Sequence, residues 1–354
     1  MNKDGFMQVE NLLISGDVPG VEWRVPVLSF KGKNSDVPKV YMQAALHADE
    51  LPGTAVLHFL CEQLREYENQ DLIVGDITIV PSANPIGANQ KISSLNLGRF
   101  ELGGRDNFNR SFPLISYDDR AILVSETKPL KAADRLKANL LSMALEADIV
   151  LDLHCDSEAL LYAYICDEFW PRATDLAAVL ALDAVFLSDG QSSAFEEAVA
   201  YAWRQSASKG NDKFVTTLEY RGEQDVKADV AQKDAQNLIA FLKTRGVIKD
   251  NPVSLPDWQG VVVPLDDIEV MRAEVSGTVL FHKKCGDTVF EGELMATVLT
   301  APGQDKPQQD YFAPQSGLVV TRTMQRFVHV QDQLMKIAGE KPSQTKRKPG
   351  TLEQ

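Results

Sequence analysis

The stretch KVYMQAALHADELPGTAVLHFLCEQLREY, Lys39 to Tyr67, changes its period in the middle. Residues 39–46 form a short apolar run bounded by turn residues, which suits a buried strand. From Gly53 onward the apolar residues recur at helical spacing. Between the two lie His47, Asp49 and Glu50, then Leu51-Pro52-Gly53, the turn that opens the next helix. Charge at that point has two readings: a solvated strand-to-helix corner, or the end of a buried strand holding out metal ligands. His58, in mid-helix among apolar neighbours, reads as a packed histidine.

The same alternation runs through the first 250 residues. DITIVPSANP (76–85) begins as a strand and is stopped by Pro81 and Pro85. Residues 125–147 read as a long amphipathic helix that leads into DIVLDLH (148–154), an apolar strand. PRATDLAAVLAL (171–182) and SSAFEEAVAYAWRQSA (192–207) read as helices and FVTTLEY (214–220) as a strand. VKADVAQKDAQNLIAFLKTRG (226–246) is a helix closed by Gly246. Strands alternating with helices predict an α/β domain over 1–250, a mostly parallel mixed sheet with helices on both faces.

After a Pro-containing linker, 251–260, the pattern becomes β-rich and glycine-punctuated over 261–338. There AEVSGTVLFHKKCGDTVFEGELMATV is echoed by FAPQSGLVVTRTMQRFVHVQDQLMKI, each copy giving SG, a strand, a turn and a further strand. The duplication predicts a small all-β sandwich or barrel with internal two-fold symmetry. The polar, locally basic tail, 339–354, reads as disordered.

At 354 residues, 44% hydrophobic and 24% charged, the chain suits a soluble protein of two domains. Its 36 Lys and Arg against 50 Asp and Glu give a net charge of −14, which argues against nucleic acid or an anionic membrane as partner. An anionic substrate would need arginines brought to it locally. Cys61, Cys155, Cys166 and Cys285 lack CxxC spacing and read as reduced thiols. The N-terminal segment has no apolar core of signal-peptide length and no run reaches membrane-spanning length, so the expected location is the cytoplasm.

His47 and Glu50 form H-x-x-E after a predicted strand, and His154 closes another. In an open parallel sheet, binding residues gather beyond the carboxyl ends of the strands. Two histidines and a glutamate suit zinc and leave a fourth position for water. Cys155 has no independent base near it in sequence and reads as packing; His282 and His329 read as surface or strand residues of the β-rich unit. The loop 96–113 holds Arg99, Arg105 and Arg110 among glycines and asparagines, and arginine suits bidentate capture of a carboxylate or polarisation of a carbonyl. Glu219, near the end of its strand, is either solvated at the edge or a general base.

Taken in order, H-x-x-E, NPIGA (84–88), RFELGGRDNFNRSFP (99–113), a strand ending in histidine and T-x-E-Y resemble the succinylglutamate desuccinylase/aspartoacylase family of zinc carboxypeptidase-like enzymes, over about residues 20 to 245. The resemblance implies one zinc per chain held by His47, Glu50 and His154. It implies Arg99 polarising the scissile carbonyl, Asn109 and Arg110 gripping a substrate carboxylate, and Glu219 activating water. Asp49 is not expected to touch the metal. The chain departs from the family pattern at Ala48-Asp49, at Asn107-Phe108 and at Tyr220-Arg221, and the last two departures are expected to alter the substrate pocket. The C-terminal repeat resembles the barrel-sandwich hybrid fold of lipoyl and biotinyl domains. Lys306 lies near the position of a modified lysine but in a longer loop, so a cap over the site is the role expected. These features predict a zinc-dependent amidohydrolase that removes the acyl group from a small N-acyl amino acid. A metallocarboxypeptidase acting on peptides and a non-catalytic carboxylate-binding protein stand as alternatives. The acyl group, the amino acid, any part played by Arg105 and self-association are left open by the sequence.

Overall fold

The computed structural model describes residues 7–125, 129–189, 192–205, 213–251, 253–305, 308–345 and 352. The chain opens with a hairpin, β1 (Gln8–Ser15) and β2 (Glu22–Phe30), then β3 (Val40–Ala44), α1 (Pro52–Asn69) and β4 (Ile77–Val80). A single turn, α2 (Pro85–Ala88), follows, capped by Asn84, whose side chain accepts from Gly87 N–H. The short ribbon β5 (Lys91–Ile92) and β6 (Leu95–Asn96) leads into the arginine-bearing loop. Beyond it come α3 (Ala132–Leu145), β7 (Ile149–Asp156), β8 (Glu158–Ala159) and β9 (Leu161–Cys166). Next are α4 (Thr174–Leu180), β10 (Ala184–Ser188), α5 (Phe195–Arg204), β11 (Phe214–Gly222), α6 (Ala228–Thr244) and β12 (Val261–Pro264).

Nine of these strands form one sheet in the order β1-β2-β4-β3-β7-β11-β9-β10-β12. The pairings of β3 with β4 and β7, of β7 with β11, and of β10 with β9 and β12 are parallel; β1/β2, β2/β4 and β9/β11 are antiparallel. The sheet is therefore mixed and mostly parallel. Every residue of β3 is buried, as a strand covered on both faces must be. Alternation along β7 sends Leu151 and Leu153 to one face and Asp152 and His154 to the other. A Cβ at Gly53, in the first turn of α1, would lie 2.7 Å from Leu153 Cβ, so α1 packs on the leucine face.

Two helices differ from their sequence-based expectation. The helix expected over 125–147 begins at Ala132, whose N–H donates to Asp17 Oδ1 of the β1–β2 turn and so is capped from outside the helix. His58, expected to be packed, is exposed at 66% of its side chain with Glu62 3.6 Å away. Leu57, Leu60, Cys61 and Leu64 make the buried stripe of α1, and His58 falls a third of a turn outside it.

The C-terminal unit contains β13 (Ile268–Arg272), β14 (Gly277–Phe281), β15 (Thr288–Val289), β16 (Leu294–Leu299), β17 (Gln308–Phe312), β18 (Gly317–Arg322), β19 (Phe327–Val328) and β20 (Gln333–Gly339). They form two antiparallel sheets, β13-β20-β18-β15 and β17-β16-β14-β19. The two sequence copies exchange their short strands: β15 of the first pairs with β18, and β19 of the second pairs with β14. The repeated SG also has a physical cause. A Cβ on Gly277 would come within 2.1 Å of Leu299 O, and one on Gly317 within 2.2 Å of Ala338 O. Each glycine lets the last strand of its own copy approach.

The junction between the two units is continuous. Val261–Pro264, placed by the sequence in the second unit, pairs with β10 as the edge of the large sheet. In return β8 pairs with β18, and Leu160 N–H donates to Val320 O. Tyr162, Phe186, Leu265, Ile268 and Val320 belong to one shared apolar cluster. The polar segment after β20 also differs from expectation as far as Thr345: Ser343 N–H donates to Asp266 O, and both hydroxyls, Ser343 and Thr345, bond Glu269. Composition does not register such bonds. Lys306 lies outside the described residues.

Tyr220 and Arg221 do not line the site. Tyr220 is buried on the face opposite Glu219, and a bulge with φ +64° at Arg221 turns its guanidinium onto Asp234 of α6, at 2.7 and 3.1 Å. Asp234 is 3% exposed. Replacing Arg221 by Met strands that carboxylate, so the variant should lose roughly 3–5 kcal/mol in a denaturant titration. Adding Asp234→Leu should restore part of that loss.

Candidate functional site

The loop between β3 and α1 carries His47 and Glu50, and the carboxyl end of β7 carries His154. All three are at least 96% buried. Glu50 stands between the histidines: Oε1 lies 2.9 Å from His47 Nδ1 and Oε2 lies 2.7 Å from His154 Nδ1. The two rings meet edge to face with centroids 4.9 Å apart. One donor atom from each of the three lies within 4.8 Å of the others.

The outer nitrogens are held separately. His47 Nε2 meets Asn107 Oδ1 at 2.8 Å, and His154 Nε2 meets Asp152 Oδ2 at 3.0 Å. Asp152 Oδ1 accepts from the Gln43 amide, whose oxygen accepts from Tyr41 O–H. A buried polar chain thus runs from β3 to β7 and fixes the His154 ring. With both Nε2 atoms occupied, both Nδ1 atoms face the Glu50 carboxylate. Two imidazole nitrogens and a carboxylate directed to one place, each imidazole backed by an oxygen acceptor, fit a divalent transition metal such as zinc. Asp49 is outside the cluster, and its Oδ1 meets no partner among the described residues.

The backbone here is held by close packing. Ala48 N–H donates to Gly98 O, Asn84 reaches Leu46 O and Asn96 reaches Ala48 O. A Cβ on Gly98 would sit 2.4 Å from Asp49 N, so glycine is required where the arginine-bearing loop crosses. That loop brings Arg99 Nη1 to 2.9 Å from Glu50 Oε1. It buries Asn109, whose Oδ1 accepts from Phe195 N–H and whose Nδ2 lies 3.4 Å from His154 Nε2. Lys137 of α3 pins the loop by donating to Asn107 O and Arg110 O. Arg105 is exposed and lines no part of the cavity. Asn107 does alter the site, through the His47 ring. Phe108, beside it, is fully buried.

Glu219 is the cross-strand neighbour of His154. Its Oε2 is buried and has no partner among the described residues. Burial pushes its carboxyl up to about 8, Glu50 adding and His154 opposing. Burial would lower His154, but Asp152 and Glu50 outweigh it and hold the ring well above the usual histidine range. Burial likewise would raise Glu50, and the two histidines hold it well below the usual carboxylate range. Cys155 is buried, its thiol raised by burial, and its N–H donates to Glu50 Oε2.

These groups open onto a cavity of about 360 Å³. Its floor is the sheet face bearing His154, Thr217, Glu219 and Tyr164, and one wall is the start of α5. The opposite wall is supplied by the C-terminal unit: Leu265, Arg272, Gln333 and Lys336, with Leu352. Lys336 is 8% exposed and ion-paired with Asp156, two residues beyond His154, at 2.5 Å. None of these wall residues is among those the sequence singles out. Lys336 and Arg272 lie at inward positions of β-strands, where a charge against the hydrophobic pattern was the available signal. Among the described residues no helix is long and apolar enough to cross a membrane.

Residues 36–245 match the sequence model of the succinylglutamate desuccinylase/aspartoacylase catalytic domain. The chain is 23% identical over 314 residues to the Nα-acetyl-L-2,4-diaminobutyric acid deacetylase of Halomonas elongata, covering 86% of this chain and 83% of that protein. Among solved structures it superposes on a protein of the same named family from Shewanella frigidimarina with TM-score 0.84 at 24% identity, over 95% and 99% of the two chains. A family protein from Shewanella amazonensis gives TM-score 0.82 at 26% identity, over 94% and 99%.

The site also sets how stability follows pH. Glu219, Glu196 and Glu223 are raised by burial to about 8, 7 and 7, so the folded metal-free protein binds more protons than the unfolded chain between about pH 5 and 8. His154, also raised, acts in the same direction, while His47, lowered by burial, opposes it in the lower part of the window and is outweighed by the four raised groups. Stability should therefore fall as pH rises through that window. Thermal melting in chelator should show the fall, a shallower one in Glu219→Gln, and its reversal on adding zinc.

Proposed function

Because this chain belongs to the succinylglutamate desuccinylase/aspartoacylase family, we propose that it is a zinc-dependent amidohydrolase that removes the acyl group from a small N-acyl amino acid. The observation that carries the reading is the convergence of His47, Glu50 and His154 beside an unpartnered, buried Glu219 in one cavity. The family is named for desuccinylation and the Halomonas relative for deacetylation, so succinyl and acetyl are the acyl groups proposed. The four cysteines are all unpaired, as a reducing compartment keeps them, and we assign the chain to the cytoplasm.

His47 Nδ1, His154 Nδ1 and the Glu50 carboxylate would hold one zinc ion. When bound, the ion supplies Lewis-acid chemistry, making water acidic, withdrawing electrons from a carbonyl oxygen and favouring ionised Glu219. Everything else falls to the chain. Glu219 takes a proton from the attacking water as its oxygen bonds to the amide carbon. It then delivers that proton to the nitrogen as the C–N bond breaks, giving a carboxylic acid and an amine, which leave as carboxylate and ammonium once the acid's proton has passed to the amine. Arg99, whose guanidinium lies at the Glu50 edge of the cavity, donates to the carbonyl oxygen as it gains negative charge. Asn109 and Arg110 hold the carboxylate of the amino acid. Asp152 and Asn107 keep the two imidazoles turned inward.

A peptidase would need a groove for a chain on both sides of the cut bond. The wall formed by Arg272, Gln333 and Lys336 favours small substrates instead. Activity on long peptides but not on acyl amino acids would overturn this preference. Tight metal binding without turnover of any acyl amino acid would favour a binding protein.

Three measurements test the mechanism. Purified protein should contain about one zinc per chain, and chelation should abolish hydrolysis of N-acyl amino acids. Glu219→Gln should lower kcat about 10²–10⁴-fold with metal content retained. Asn107→Ala should leave the fold intact but weaken metal affinity by about 10–100-fold, because it frees the His47 ring. Full activity in metal-free protein or in Glu219→Gln would refute the assignment.

A further inference from the structure

Within the cavity, Glu196 and Glu197 open α5 side by side but are treated differently. Glu197 accepts bonds from the N–H and hydroxyl of Ser192. Glu196 is 7% exposed, and its Oε2 meets no hydrogen-bond partner among the described residues. A buried carboxylate oxygen without a donor is costly, so its presence on a cavity wall calls for a donor that arrives with the ligand. Thr217 Oγ1, on the floor of the same cavity, also lacks a partner among the described residues.

The cations facing this cavity from the C-terminal unit are already engaged. Lys336 is paired with Asp156, and Arg272 donates to the backbone oxygens of Gln331 and Leu352. Arg99 donates to Glu50, and Arg110, whose charge reaches Glu196, donates to Asn109 O and is assigned to the substrate carboxylate, so the unmet requirement at Glu196 Oε2 is for a hydrogen-bond donor. An N-acyl amino acid held by its carboxylate at Asn109 and Arg110, with its acylated nitrogen at Glu219, has its acyl tail and its side chain left to fill the cavity. Since acetyl and succinyl tails carry no cation, the side chain is the part that can supply a charged donor.

We propose that Glu196 selects an ammonium group on that side chain, so that the substrates are Nα-acyl diamino acids, the ammonium donating to Glu196 and to Thr217 Oγ1. An ammonium has three donors, which suits two orphaned acceptors on adjoining surfaces. Burial, with Glu197 adding, pushes the Glu196 carboxyl up to about 7, and a bound cation would return it to the ionised form.

The inference rests on the amidohydrolase reading, and the test separates the two. Zinc-loaded wild type and Glu196→Gln are assayed on Nα-acetyl-L-2,4-diaminobutyrate, Nα-acetyl-L-norvaline and N-acetyl-L-glutamate, three side chains of similar length. Calorimetry measures binding of the free amino acids L-2,4-diaminobutyrate and L-norvaline to the same proteins. In wild type, kcat/KM should favour the ammonium substrate over both others by at least about tenfold, and Glu196→Gln should reduce that ratio by at least about tenfold. Glu196→Asp, which keeps the charge but retracts it, should retain part of the preference and serves if the glutamine variant does not fold. A wild-type ratio near one, a preference for glutamate, or a ratio unchanged in folded Glu196→Gln would overturn the proposal. If no acyl amino acid is hydrolysed, calorimetry decides. A preference for the diamino acid that Glu196→Gln abolishes keeps this inference while the hydrolase reading falls, and no preference overturns it.

Discussion

The Glu50 carboxylate is the joint of this molecule. It is buried, and it accepts from the Arg99 guanidinium and Cys155 N–H while facing both histidine Nδ1 atoms. Three separate stretches of chain therefore converge on one charged group: the loop after β3, the arginine-bearing loop, and the end of β7. A buried anion of this kind is tolerable only when every partner is in place. The surrounding fold follows from that demand. Glycine at 98 allows the loops to cross, Lys137 anchors the crossing from α3, and the Tyr41–Gln43–Asp152 chain prevents the His154 ring from turning.

The sheet supplies the geometry that the joint requires. Parallel strands β3, β7 and β11 end on the same side, and strand alternation sends His154 and Glu219 to one face in register. The C-terminal unit then closes the remaining side with Arg272, Gln333 and Lys336. Because Lys336 is paired with Asp156, the cavity wall is tied to the strand that carries His154.

Much of this was legible in the sequence because it follows local rules. The change of period across residues 39–67 marks β3 and α1 correctly, and the central strands show as apolar runs because both faces are covered. The SG repeat reports its own symmetry, since each glycine answers to the same close contact. His47, Glu50, His154 and Glu219 could be found from their places at strand ends and from their order. The illegible parts are those that depend on pairing across long distances. Nothing local says that Val261–Pro264 joins β10 or that β8 joins the second unit. Glu196 lies in the first turn of α5, where a glutamate is common, and only burial shows that its Oε2 lacks a partner among the described residues. Tyr220 and Arg221 were expected to alter the pocket, but one residue along the strand puts Tyr220 on the opposite face and the bulge turns Arg221 onto Asp234. His58 failed similarly: apolar neighbours in sequence are not neighbours on a helix.

The pairing of β8 with β18 has a consequence for how such a protein can change over generations. Four residues past His154 the chain is already a strand of the other unit, and bonds cross from Met324 and Leu160 on either side. A swing of one unit against the other would have to break this pairing. Turning whole units against each other is therefore a costly way to reshape the cavity, and exchanging a single wall side chain such as Arg272 or Gln333 is the cheap one.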